Sequence, residues 1–589
     1  MYMGARREYI DPISRHFLGS MNISCPSCLA LHWRDEKHTN STTANPTFGN
    51  CCNSGNLSIP LLPNPPAALQ RLYDGNDTQS REFRQNLWKY NRAFAFTSLG
   101  VAEDHSVNLG RRGPPVFRIQ GELFHRSGSL LPDPGRSPTY SQLYIYEPRN
   151  ALEYRIRNNS DLRPDTLNVL QSIMNTDNPY AQLYASASQI LSSIRNAPDA
   201  EMRLRPAPGV HRRSGSLPTA DEVAVILPGN GSEGDFRDII LRTRPGPLHR
   251  ISEMHPAYAP LQYPLLFPLG TSGWHPDIPY VRPGKRSVTA TLSRYTQFRI
   301  HERLGEYSTI LRGGRLFQRY LVDMWAATDQ QRLSFLRKNQ GVLRAALYSG
   351  LEDAVEADDT ADLNEIGQRV VLPSSYVGGP RHMQQQFQDS MAVARFFRKV
   401  DLFITITANP DWREIQEALL PGQTSYDRPD LISRVFHMKI HSIIKEISET
   451  GIFGKAVAHV YTIEFQKRGL PHMHLLIFLT GPDKLLTPDD IDSAIRARWP
   501  DPVSEPLLFE TVKRCMVHGP CGIANPSAPC MENGKCTKNY PKPFTAFTSL
   551  DEHGYPKYIR PIDGRSYDVG GIPVDNRWIV PHNPYLSAK

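Results

Sequence analysis

The clearest pattern of apolar and polar positions begins at residue 387. Phe387, Met391, Ala394 and Phe397 recur at helical spacing and predict a helix that leads into a strand. That strand, LFITIT, alternates Leu402, Ile404 and Ile406 with Phe403, Thr405 and Thr407, and Asn409, Pro410 and Asp411 end it in a turn. Ile432, Phe436, Ile440, Ile443 and Ile447 mark one side of a longer helix, with Pro429 near its first turn and Gly451 just past its end. AVAHVYTIEFQ and HMHLLIFL, joined by KRGLP, predict an antiparallel hairpin. Together these elements predict an α+β fold whose central antiparallel sheet carries helices on one face.

Upstream the pattern is less regular. FAFTSLGV, VFRIQGELFHRSGSLLP and QLYIYEP are rich in β-branched and aromatic residues and predict a β-rich module over residues 1–195. The Pro-, Arg- and Ser-rich stretch at 196–220 has linker composition. In residues 221–380, Gly313 and Gly314 open a helix in which Leu316, Tyr320, Leu321 and Met324 mark the core side. Its Arg315, Arg319, Arg332, Arg337 and Lys338 suit phosphate contacts, although a solvated helical face is the commoner use of such residues.

The hairpin gathers candidate chemistry. Alternation places His472 and His474 on one face with backbones about 6 to 7 Å apart, from which two imidazoles can converge on one ion. Glu464 and Gln466 share a face of the partner strand, so Glu464 is the preferred third ligand and Gln466 the alternative. An H-x-H pair alone is weak evidence, because strand histidines are commonly structural. The apolar strand, the Gly-Leu-Pro turn before it and the acidic residue across the hairpin are what point to a metal. The eight cysteines fall into two groups of four. Cys25 and Cys28 form a C-x-x-C knuckle that Cys51 and Cys52 complete, with His32 as a substitute zinc ligand. Cys515, His518, Cys521, Cys530 and Cys536 are more widely spaced and form a second candidate zinc site, with buried free thiols as the alternative for both groups.

Composition changes this picture little. A chain of 589 residues exceeds one hydrophobic core, and 50 prolines imply long irregular stretches. The net charge of +8 suits a polyanionic partner without requiring one. MYMGARREYIDP lacks the apolar centre of a signal peptide, and no run reaches the roughly 18 to 20 apolar residues of a membrane span. The expectation is a soluble intracellular protein, nuclear or cytoplasmic, with no membrane partner.

In order and spacing, LPSSYVGGPRHMQQQFQDSMAVARFF, DLFITITANPDWREI, YTIEFQKRGLPHMHLLIFL and MVHGPCG with PCMENGKC resemble the Helitron transposons, whose nicking domain is of the HUH rolling-circle class. FGNCCNSGNLSIP, YNRAFAFTSLG, AYAPLQYPLLFPLG and GRLFQRYLVDMWA resemble the N-terminal region of that family. The resemblance implies an HUH nuclease core at 381–510, a DNA-binding region at 221–380, a zinc-binding DNA-contact module near the N-terminus and a Cys- and Pro-rich extension at 511–589. It implies that His472 and His474 hold Mg²⁺ or Mn²⁺ against the scissile phosphate of single-stranded DNA at transposon ends, while a tyrosine hydroxyl attacks and becomes joined to the 5′ phosphate. A helix bearing that tyrosine is expected after DNRWIVPHNPYL, where this sequence reaches Lys589. Tyr555, Tyr558 and Tyr585 lie in Pro-rich surroundings and read as structural, so the nucleophile is expected from a downstream exon or a helicase-domain partner. Gly284-Lys285, Gly454-Lys455 and Gly534-Lys535 are followed by Arg, Ala and Cys, so no helicase motor is expected. The implied protein is a Helitron-type transposase fragment, an HUH-type single-stranded DNA endonuclease if completed by a tyrosine. The alternative is a non-catalytic, zinc-stabilised DNA-binding remnant of a decayed transposon.

Overall fold

A computed structural model describes residues 4–99, 135–193, 249–282, 288–339, 372–466 and 469–589, with short pieces between 102 and 132 and between 200 and 242. The described residues form a mixed α/β protein of helices and small sheets.

The first large core is helical. In Thr78–Phe94, Phe83, Leu87, Tyr90 and Phe94 recur on one side and are buried, and Asp77 caps the helix by accepting the Ser80 N–H at 2.9 Å. Ala67–Asp74, Pro148–Asn158, Pro164–Asp177 and Pro179–Ser193 add further helices, the last three beginning on proline. The expectation of a β-rich module over 1–195 is therefore corrected. Of its three strand-like runs, FAFTSLGV supplies, among the described residues, the pair Ser98–Leu99, and QLYIYEP begins in the 3₁₀ turn Tyr140–Tyr144, where Thr139 and Gln142 form a capping box. The third run supplies Ile119–Gln120 and His125–Ser127. Aromatic and β-branched content measures fit to a half-buried surface, and here helices provide that surface.

The same core takes in Tyr258, Leu261, Tyr263 and Phe267, and also Leu316, Phe317, Tyr320 and Met324 of α1 (Arg315–Lys338). The regions read as 1–195 and 221–380 thus share one interior. The linker reading also yields at Ala200–Leu204, a strand paired on both sides with Ala224–Pro228 and Ile239–Arg242. Glu201 and Arg203 alternate with Met202 and Leu204, a two-residue period that bulk composition conceals. The rest of 196–220 lies outside the described residues.

The second core is built on a three-stranded antiparallel sheet. Its strands are β1 (Leu402–Thr407), β2 (Ala456–Phe465) and β3 (Pro471–Leu479), in the order β1-β3-β2. Leu402, Met473, Leu475 and Ile477 pack against Leu431, Val435, Phe436 and Ile440 of α3 (Pro429–Lys445). The helix continues as a π turn over Glu446–Thr450 and stops at Gly451, whose φ of 67° is the left-handed value that favours glycine. In contrast, α2 (Pro380–Phe397) has no buried residue: Phe387 is 57% exposed, and at the end of its predicted stripe the Phe397 ring lies 5.5 Å from that of Phe478 on β3.

Both ends of the chain enter this second core. Ala5 and Trp33 are buried in it, Leu18 N–H donates to Glu414 at 2.9 Å, and Tyr585 and Leu586 pack against its edge. The boundary expected at 510/511 falls inside the helix Pro506–Cys515, whose Leu508 and Val512 share a small core with Val574 and Ile579. Among the described residues no helix is long and apolar enough to cross a membrane.

Candidate metal centre

The register of the sheet decides which side chains meet on its open face. β1 sets Thr405 beside His474 and Thr407 beside His472, while β2 sets Thr462 and Glu464 on the other side of the same two histidines. With Met473 and Leu475 turned into the core, the imidazoles are left on the face that α3 does not cover. Their Nε2 atoms lie 3.0 Å apart, and Glu464 Oε2 is 3.5 Å from one and 3.8 Å from the other. Two ligands at right angles on an ion with bonds of about 2.1 Å stand roughly 3 Å apart, so this spacing suits a shared cation. His472 is 11% exposed and His474 31%, while Glu464 is largely open to solvent.

Gln466 is not among the groups brought together. It lies beyond the last rung of the ladder, where its N–H donates to Leu470 O and its carbonyl accepts the Gly469 N–H, closing the hairpin. Two neighbours of His474 were not anticipated from the sequence. Thr405 Oγ1 is 3.1 Å from His474 Nδ1, and the Phe403 ring stacks on the imidazole at 5.5 Å and 13°. The alternation of LFITIT puts Phe403, Thr405 and Thr407 on one face, but only the order of the strands brings that face to the histidines.

Cys25, Cys28, Cys51 and Cys52 place their four sulfurs within 4.8 Å of one another. The Cys25–Cys52 and Cys51–Cys52 separations are both 3.7 Å, close to the roughly 3.8 Å edge of a tetrahedron with 2.3 Å Zn–S bonds. Mutual hydrogen bonds draw the Cys25 thiol far below its ordinary range and push Cys51 far above it, as expected of four thiols that cannot all ionise without a cation. His32 is not part of this group: it stacks on Phe48 at 3.9 Å and bonds Glu36 at 2.9 Å. The second group is His518, Cys521, Cys530 and Cys536, with Cys536 Sγ 3.5 Å from His518 Nε2 and the ring stacked on Tyr540. Burial, then hydrogen bonds with Cys536 and Cys530, pushes the Cys521 thiol up to about 12. Cys515, at the exposed end of its helix, is left out. Both groups can hold a metal such as zinc.

Residues 295–477 match the family described as Helitron helicase-like domain at N-terminus. Over this segment the chain is similar to Helitron helicase-like proteins. No curated protein matches the chain. The Helitron-like segment begins in the helix Leu292–Arg299, contains α1, α2, β1, α3 and β2, and ends within β3, so it includes all three members of the histidine cluster. It also crosses the boundary expected at 380/381. Both cysteine groups lie outside it, yet the first is joined to its start: Leu31 N–H donates to Glu302 O at 2.8 Å, Leu304 N–H donates to Leu29 O, and Arg303 reaches Cys28 Sγ at 3.9 Å. Arg434 of α3 forms a two-pronged pair with Glu36, both prongs at 2.7 Å. The knuckle is thereby fastened to the helix that underlies the histidine-bearing sheet.

Proposed function

We propose that the chain is the ion- and DNA-binding part of a Helitron-type strand-nicking protein. In this reading His472, His474 and Glu464 hold a divalent cation, Mg²⁺ or Mn²⁺, against a phosphate of single-stranded DNA. What carries it is the convergence of two imidazole nitrogens and a carboxylate on the open face of a sheet, inside the segment similar to Helitron proteins. Two nitrogens and one carboxylate leave coordination positions for phosphate oxygens and water, which suits hard divalent ions. When bound, such an ion draws charge from the phosphoryl oxygens. The chain's own residues bind and orient. α3 backs β3 so that the histidines stand on a rigid strand. Phe403, 64% exposed beside His474, offers a ring on which a base can stack.

The attacking tyrosine in this reading comes from elsewhere than Tyr555, Tyr558 or Tyr585. Tyr585 donates to Glu446 against the second core, where burial followed by that bond pushes its hydroxyl up to about 12. Tyr558 is half-buried in the C-terminal extension and its carbonyl accepts from Thr545, and Tyr555 lies on an exposed turn. The two Cys groups favour a second reading, a zinc-stabilised DNA-binding protein that makes no use of the histidines. Mn²⁺ titration of the full chain separates the two: replacing both His472 and His474 with alanine removes the tightest Mn²⁺ site under the first reading and changes nothing under the second. An SDS-resistant adduct with a single-stranded oligonucleotide and Mn²⁺ would show that the chain supplies its own nucleophile.

A further inference from the structure

We infer that Thr405 is a positioning residue which gives the Nδ1 proton of a cation-ligating His474 an acceptor that His472 lacks, so that the two histidines are unequal ligands. The inference rests on the reading that a divalent ion binds at this cluster. To ligate through Nε2, an imidazole must present a lone pair there and carry its proton on Nδ1, and what faces Nδ1 decides how readily it does so. For His474 that neighbour is Thr405 Oγ1 at 3.1 Å, an oxygen that can accept the Nδ1 proton.

For His472 there is no counterpart. Its Nδ1 is buried and has no hydrogen-bond partner among the described residues. Thr407 stands directly across from it in the register, yet no hydrogen bond joins its hydroxyl to that nitrogen. Ligation through Nε2 would leave a buried N–H unsatisfied on His472 but a satisfied one on His474. Without an ion the two Nε2 atoms, 3.0 Å apart, share one proton, and either ring can be its donor. The threonine hydroxyl serves His474 in both arrangements, donating to Nδ1 in one and accepting from it in the other. A serine would do the same; a valine, of the same shape, would do neither.

The test is Mn²⁺ affinity of the full chain, followed by electron paramagnetic resonance, for Thr405→Val, Thr405→Ser and Thr407→Val. Loss of an outer hydrogen bond to a ligating histidine typically weakens metal binding roughly 10- to 100-fold. Thr405→Val is expected to fall in that range, Thr405→Ser to stay within about threefold of the parent, and Thr407→Val to bind as the parent. Equal weakening by both valine variants would assign the effect to the strand as a whole and overturn the inference, as would parental affinity in Thr405→Val. Unfolding temperatures of the three variants identify any loss due to misfolding, and a destabilised Thr405→Val is replaced in the comparison by Thr405→Ala against Thr405→Ser. The double histidine variant separates the two levels of argument. If it binds Mn²⁺ as the parent does, the ion site itself fails; if it loses binding while Thr405→Val keeps it, only the role of Thr405 fails.

Discussion

Removing the Arg434 guanidinium should release the N-terminal segment from α3. Arg434 Nε and Nη2 reach the two oxygens of Glu36 at 2.7 Å, Nη2 also donates to Leu31 O at 3.0 Å, and the guanidinium lies 4.8 Å from the centre of the Trp33 ring. Both partners of the pair are largely buried, with 14% and 13% of their side chains exposed. Burial alone would raise the Glu36 carboxyl, but the hydrogen bonds and charge of Arg434 outweigh it and hold the group well below its ordinary range. This contribution is therefore complete above the unfolded carboxyl range, near pH 4.5, and is lost as pH falls below it. Truncating one partner of a buried pair costs about 3–5 kcal/mol, because the other charge is left behind. Here Glu36 keeps the His32 and Trp33 donors, which favours the lower end. About 3 kcal/mol corresponds to roughly a hundredfold rise in the local opening constant. In Arg434→Ala, amide hydrogen exchange of residues 29–37, read by mass spectrometry, should speed up by that factor while the helices of the first core keep their protection. On a Glu36→Gln background the same truncation should cost much less, since no buried charge is stranded. An acceleration under threefold, or an equal cost on both backgrounds, would refute the reasoning.

Burial pushes the His582 imidazole down to about 4, and its Nε2 is buried with no partner among the described residues while Nδ1 faces Val580 O at 3.0 Å. A ring held neutral in the folded chain but free to protonate when unfolded contributes fully above pH 6.5 and loses its contribution as pH falls toward 4. The urea midpoint should therefore decline over that window by the equivalent of about 3 kcal/mol, and His582→Gln should remove this part of the slope; an identical slope in the variant would sink the assignment. Zinc analysis of the purified chain should find metal at both cysteine groups, with Cys28→Ser and Cys521→Ser each lowering the content by one equivalent and Cys515→Ser leaving it unchanged. A strong chelator should lower the unfolding temperature, because a structural zinc contributes folding free energy directly.

The histidine cluster was legible because each step toward it is local. Strand alternation puts His472 and His474 on one face, and a short hairpin brings Glu464 across from His472. Gln466 shares that alternation, but the ladder ends at Phe465 and Pro471, and an end of pairing cannot be read from periodicity. The hydroxyl of Thr405 was out of reach for a different reason: it depends on β1 lying beside β3, a choice among strand orders that no local pattern fixes. The same distinction explains the two cysteine groups. The C-x-x-C spacing announces the knuckle, whereas the exclusion of His32 follows from its Phe48 stack and the bond to Glu36. The helices of the first core carry an equally legible signal, since Phe83, Leu87, Tyr90 and Phe94 recur as clearly as the residues of α3. Domain limits were not legible at all, because they depend on which apolar faces meet. Ala5, Trp33 and Tyr585 lie far from 381–510 in sequence, yet they complete the packing around α3. Cutting the chain at those limits would strip packing from the helix on which the histidine sheet rests, so the histidine cluster depends on segments far outside the hairpin that carries it.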